Sequence, residues 1–78
     1  MEAGVQPLDG LLSSLGLSNH DLVAAAGPGL LSHKMVAKAR RGRKLTMRLQ
    51  EKITRALNTA AGRETPIRRD ECFNYRGR

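Results

Sequence analysis

Between residues 32 and 63 the chain carries ten cations, Lys34, Lys38, Arg40, Arg41, Arg43, Lys44, Arg48, Lys52, Arg55 and Arg63, against a single carboxylate, Glu51. The chemistry such a cluster serves is attraction of a polyanion, and nucleic acid is the commonest polyanion that a basic half-domain meets. An ordinary solvated helix face interleaves carboxylates among its cations, and this stretch almost lacks them. Other residues suited to chemistry are sparse. The chain holds two histidines, His20 and His33, and one cysteine, Cys72; their spacing is not that of a zinc site. No Ser-His-Asp set, carboxylate pair or glycine-rich phosphate loop stands in a context that supports catalysis. The expectation is a chain that is not an enzyme, with no metal, no cofactor and no small-molecule ligand.

The rest of the charge sharpens the contrast. Residues 1–31 contain Glu2, Asp9 and Asp21 and no Lys or Arg. Residues 64–78 contain Arg68, Arg69, Arg76 and Arg78 against Glu64, Asp70 and Glu71, and the whole chain carries a formal charge of +7. With 78 residues there is room for one small domain and a modest core. Hydrophobic residues are 40% of the chain and aromatics 3%, so the core must be aliphatic, which favours packed helices over strands. A lone cysteine closes no internal disulfide. No apolar run approaches the roughly 20 residues needed to cross a bilayer, and the first residues lack the basic flank of a signal peptide. A soluble all-α protein of the cytoplasm, associated with the nucleoid and not with membranes, is expected.

Several elements must position the cations. Val5, Leu8, Leu11, Leu12 and Leu15 form one helical stripe that Gly16 closes, predicting a helix near 5–15. Ser18 and Asp21 have the spacing of a capping box, and Leu17 and Leu22 that of a hydrophobic staple, predicting a helix over 19–26. Gly27-Pro28-Gly29 cannot continue it and reads as a turn. Ser32 repeats the cap, with Leu31 and Val36 as staple, predicting a helix over 32–41. Its inner face is Met35, Val36 and Ala39, and Gly42 closes it. Thr46 opens the longest helix, near 46–60, with Leu49, Ile53, Ala56, Leu57 and Ala60 on one side and Gly62 at its end. Leu45 reads as core together with Leu49 and Ile53. Residues 1–62 thus form the domain, and 63–78 a basic tail. Ile67, Cys72, Phe73 and Tyr75 should bring part of that tail back to the core, with a short fifth helix near 67–73. Cys72 reads as a small buried apolar residue.

Two short helices joined by a glycine-containing turn, the second basic on its outer face, describe a helix-turn-helix. In that motif the second helix enters the major groove while the first crosses the backbone. His33, Lys34, Ala37 and Lys38 are the side-chain types that reach base edges: lysine donates to guanine, and a small alanine touches a thymine methyl. Arg40, Arg41, Arg43, Lys44 and Arg48 follow, where phosphates would lie.

The run Gly16-Leu17-Ser18-Asn19-His20-Asp21-Leu22-Val23-Ala24-Ala25-Ala26-Gly27 resembles the second-helix signature of Cro and phage-repressor (XRE-type) domains, Gly-Leu-Ser-x-x-x-Leu-Ala-x-x-x-Gly. Residues 32–42 resemble their recognition helix and closing glycine, and the distance from Gly42 to Ala56-Leu57 suits their fourth helix. The resemblance spans about residues 5–60. It implies a lambda-repressor-like bundle of four to five short helices that binds operator DNA, commonly as a dimer. By that resemblance His33, Lys34 and Lys38 take base-reading positions, Asn19 contacts phosphate, and Arg41 and Arg43 flank the glycine where further phosphates are met. Two departures stand out. The link from Gly27 to Ser32 is about three residues longer than the family turn, so that Gly29–Leu31 either extend the recognition helix or change its angle. Arg40 stands where the family often has a glutamate paired with a basic residue of helix one, and helix one here has no basic residue.

The function expected is sequence-specific binding of double-stranded DNA by a small transcriptional regulator, with a possible homodimer on a palindromic operator. The acidic, leucine-rich N-terminal segment and the aromatic tail are the two candidate dimer contacts. Two alternatives remain: an RNA-binding module, which would have only Phe73 and Tyr75 as stacking platforms, and a protein-interaction adaptor or antitoxin using the same fold.

Overall fold

In a computed structural model, which describes residues 4–75, the chain forms five helices: α1 (Pro7–Leu15), α2 (Asn19–Ala26), α3 (His33–Arg41), α4 (Met47–Ala61) and α5 (Arg69–Cys72). Glu2, Arg76 and Arg78, counted above with the charged ends, lie outside the described residues. Most helix starts have a local cause. The Ser18 hydroxyl accepts from the Asp21 amide (3.2 Å) while the Asp21 carboxylate accepts from the Ser18 amide (2.8 Å), a complete capping box. The Ser18 amide first, and then its hydroxyl, which also donates to the Asp21 carboxylate (3.0 Å), hold the Asp21 carboxyl below the usual aspartate range. Ser32 accepts from Met35 (3.1 Å) and Thr46 from Leu49 (3.2 Å), caps that typically contribute about 1 kcal/mol each.

The core is aliphatic, as composition requires, and the bundle is all-α. Leu8 and Leu12 of α1, Leu22 of α2, Val36 and Ala39 of α3, and Ile53, Ala56 and Leu57 of α4 are buried. Leu31, from the turn before α3, and Ile67, Cys72 and Phe73, from the tail, complete it. Burying each large side chain contributes about 1.5–3 kcal/mol relative to exposure. α2 packs chiefly on α4, α3 against α2 and α1, and α5 against α1 and α4. The tail is tied down by Asn58, whose side-chain amide donates to the Ile67 carbonyl (2.9 Å) and accepts from its amide (2.6 Å). Burial pushes the Cys72 thiol up from its usual range.

Three expectations change. The first helix begins at Pro7 and not at residue 5, and Val5 is 67% exposed where the stripe placed it inward. The cause is the preceding residue: Gln6 is extended, and its amide donates to the Arg40 carbonyl (3.0 Å) instead of entering a helix. The fifth helix is confined to Arg69–Cys72, and Phe73 is already extended. The long link after Gly27 does not lengthen α3. It is a turn that closes at Ser32 and inserts Leu31 into the core.

Polar residues also enter the interior where the apolar pattern gives no warning: Gln6, Gln50 and Thr54 are all buried. Gln50 accepts from Arg69 (3.1 Å), and the Thr54 hydroxyl donates to the Gln50 carbonyl (2.8 Å). At the end of α3, Gly42 has φ of +106°, and a Cβ there would collide with the Gly4 backbone, its carbonyl oxygen first. Both its backbone conformation and its crowding require glycine.

Candidate nucleic-acid interface

Helix α3 turns two different surfaces outward and inward. Val36 and Ala39 are buried, Met35 and Ala37 are half-buried, and His33, Lys34, Lys38 and Arg41 are exposed. Capping fixes this division, because Ser32 sets the first turn and Leu31 anchors the residue before it in the core. Lys34, Lys38 and Arg43 then share one open groove of about 270 Å³ with Ser32, Met35, Leu45 and Leu49. The fold thus brings Arg43, expected at phosphates, beside Lys34 and Lys38, expected at bases, over an apolar floor. Leu45 and Leu49, expected in the core, are half-buried against it and form that floor. Among the described residues, none of Lys34, Lys38, Arg41, Arg43, Lys44 and Arg48 lies within ion-pair distance of a carboxylate. Arg41 reaches back only to the Ala37 carbonyl (3.4 Å).

Arg40 behaves differently. Its Nε donates to the Asp9 carboxylate of α1 at 2.6 Å, and its Nη1 donates to the Asn19 side-chain oxygen of α2 at 2.9 Å. The guanidinium therefore joins three helices and is used inside the bundle. Its side chain is 22% exposed and that of Asp9 42%, so solvent screens the pair and its contribution is about 1 kcal/mol. The missing basic residue of helix one has its counterpart here: an acid on α1 meets a base on α3. Asn19, read as a phosphate contact, spends its side-chain oxygen on Arg40.

The two histidines are neighbours, which the sequence reading did not foresee. His20 and His33 stack with ring centroids 5.5 Å apart and planes 28° from parallel. Each sits in the first turn of its helix, and that shared position was the available signal. Arg48 is placed apart from the α3 groove. It lines a second one of about 360 Å³ with Lys52, Arg55, Glu51, Ala25, Ala26, Ala56, Thr59 and the 52%-exposed Leu30.

The basic turn between α3 and α4 is held from outside. Tyr75 donates its hydroxyl to the Arg43 carbonyl (2.9 Å) and accepts from the Leu45 amide (2.8 Å), so one hydroxyl spans both ends of Lys44. The tail reaches that point because the Asn74 amide donates to the Gln6 side chain (2.8 Å) and Phe73 packs edge-on to Tyr75. Of the two segments expected to contact a second copy, Leu8, Leu12 and Phe73 are buried in the core, while Leu11, Leu15 and Tyr75 are half-buried. No group of three or more metal-ligating side chains forms among the described residues, and no helix is long and apolar enough to cross a membrane. Set against known proteins, the chain matches no family model, no curated protein and no solved structure.

Proposed function

We propose that this chain binds double-stranded DNA sequence-specifically, as a small transcriptional regulator of the helix-turn-helix kind, with α2 lying across the backbone and α3 in the major groove. The observation that carries this reading is the division of cations on α3. The fold pairs Arg40 within the bundle and leaves Lys34, Lys38 and Arg43 grouped on one open surface, with no carboxylate partner among the described residues. Such a surface costs electrostatic repulsion in the free protein, and a polyanion relieves it. Within this reading His33, Lys34, Ala37 and Lys38 face base edges, and Arg41, Arg43 and Lys44 meet phosphates. Arg40 leaves the phosphate set. The likeness of residues 16–27 and 32–42 to Cro and phage-repressor domains supports the same assignment, as does the acid-base pair between α1 and α3. Cytoplasmic, nucleoid-associated placement belongs to the same proposal.

Two copies on a palindromic operator would present their α3 helices one turn apart, about 34–36 Å. Affinity selection from random duplex DNA at about 150 mM salt, where screening is physiological, tests the reading. Enrichment of one motif supports it, and one or two half-sites in that motif give the number of copies bound. A pool that never enriches contradicts sequence-specific DNA binding and turns the search to RNA or protein partners.

A further inference from the structure

Resting on the DNA reading, we propose that Tyr75 is the positioning residue of the basic turn: its hydroxyl sets the Arg43–Leu45 backbone so that Arg43 and Lys44 are held for phosphate, and the tail thereby controls affinity without choosing bases. Among the described residues, the turn's other restraints fall on Arg43, which also takes part in an isolated β-bridge. Arg43 and Lys44 are exposed, and the Arg43 amide donates to the Lys38 carbonyl (3.0 Å), which fixes only the turn's first residue. Past that point the backbone of Arg43–Leu45 is bridged by one hydroxyl that both donates and accepts. A side-chain hydroxyl satisfying two backbone groups in this way gives a turn a single geometry. The hydroxyl is itself delivered by contacts from opposite chain ends, since Asn74 is bonded to Gln6 and the Gln6 amide to Arg40 at the end of α3. A loose turn keeps its charge but no longer holds both Arg43 and Lys44 against phosphate, so that one contact is lost in the complex.

Tyr75→Phe removes the hydroxyl and keeps the ring that packs on Phe73 at 5.9 Å. Without DNA, the Leu45 amide should exchange with solvent faster in Tyr75→Phe than in wild type. With DNA, affinity should fall about fivefold, the worth of one net hydrogen bond, on preferred and random duplexes alike. The log-log salt slope should become shallower by about 1, as for one lost phosphate contact. The ratio of preferred to random affinity should stay unchanged. Ile53→Val serves as the control: it lowers stability through the core, deletes none of the groups that deliver Tyr75, and should leave the salt slope alone. Wild-type affinity and slope in Tyr75→Phe, or an unchanged Leu45 exchange rate, overturn the proposal. If the wild-type chain itself shows no salt-dependent duplex binding, the DNA reading fails first and this inference falls with it.

Discussion

The two sides of α3 handle charge in opposite ways. On the inward side, Arg40 is drawn between Asp9 and Asn19, the end of the helix is crossed by Gly4 to Gln6, and little is left to vary. On the outward side, His33, Lys34, Lys38 and Arg41 are exposed, with no carboxylate near the three cations among the described residues. One helix of nine residues therefore holds a cation that serves the fold and cations that the fold does not use. Net charge alone would count them together. The difference teaches that a basic helix should be divided by what each guanidinium or ammonium touches before any of it is given to a partner.

Substitutions on each side can break that contrast or sharpen it. The largest effect should come from the crowded inner end. Gly42→Ala adds a Cβ against the Gly4 backbone at positive φ and should cost about 3 kcal/mol in denaturant unfolding, the sum of overpacking and backbone strain. Gly62→Ala, with open space at φ of +60°, should cost only about 1 kcal/mol. Next come the outer lysines. Lys34→Ala and Lys38→Ala should each weaken binding at the preferred duplex by about 1–3 kcal/mol and relax base preference, while stability stays within about 0.5 kcal/mol. Retained preference in both variants would sink their role as base readers. Arg40→Met should show the reverse pattern, losing about 1 kcal/mol of stability as its screened ion pair goes. The smallest effect is a titration. The folded Asp21 carboxyl ionises below its unfolded range, so its contribution is present above that range and drains away as pH falls through the folded value. In Ser18→Ala, an NMR titration should find the Asp21 carboxyl returning upward toward the ordinary aspartate range.

What could be read in advance was local. Ser18, Ser32 and Thr46 cap helices through bonds three residues long, so their helices were legible, as were the glycines that end them. The buried leucines followed from helical period. Contacts across the chain were not legible. Gln6 and Asn74 are sixty-eight positions apart and both are ordinary polar residues, so nothing in either pattern announces their bond. For the same reason Val5 looked like the first turn of α1, although a backbone bond from the next residue to Arg40 pulls the chain out of helix there. At the candidate site, the charges on Lys34, Lys38 and Arg43 were visible in the sequence. Their grouping over Leu45 and Leu49, the withdrawal of Arg40 and the histidine stack are tertiary facts.

The central claim is that the cations of α3 and its turn that have no carboxylate partner among the described residues serve DNA, Lys34 and Lys38 at bases and Arg41, Arg43 and Lys44 at phosphates, while Arg40 serves the fold. The most direct test is the affinity for a duplex as a function of salt, in wild type and in Arg40→Met side by side. For the three phosphate contacts of Arg41, Arg43 and Lys44 the log-log slope should be about −2.7 per copy bound, and Arg40→Met should keep that slope. An affinity that ignores salt, or an Arg40→Met slope shallower by a full contact, would contradict the account.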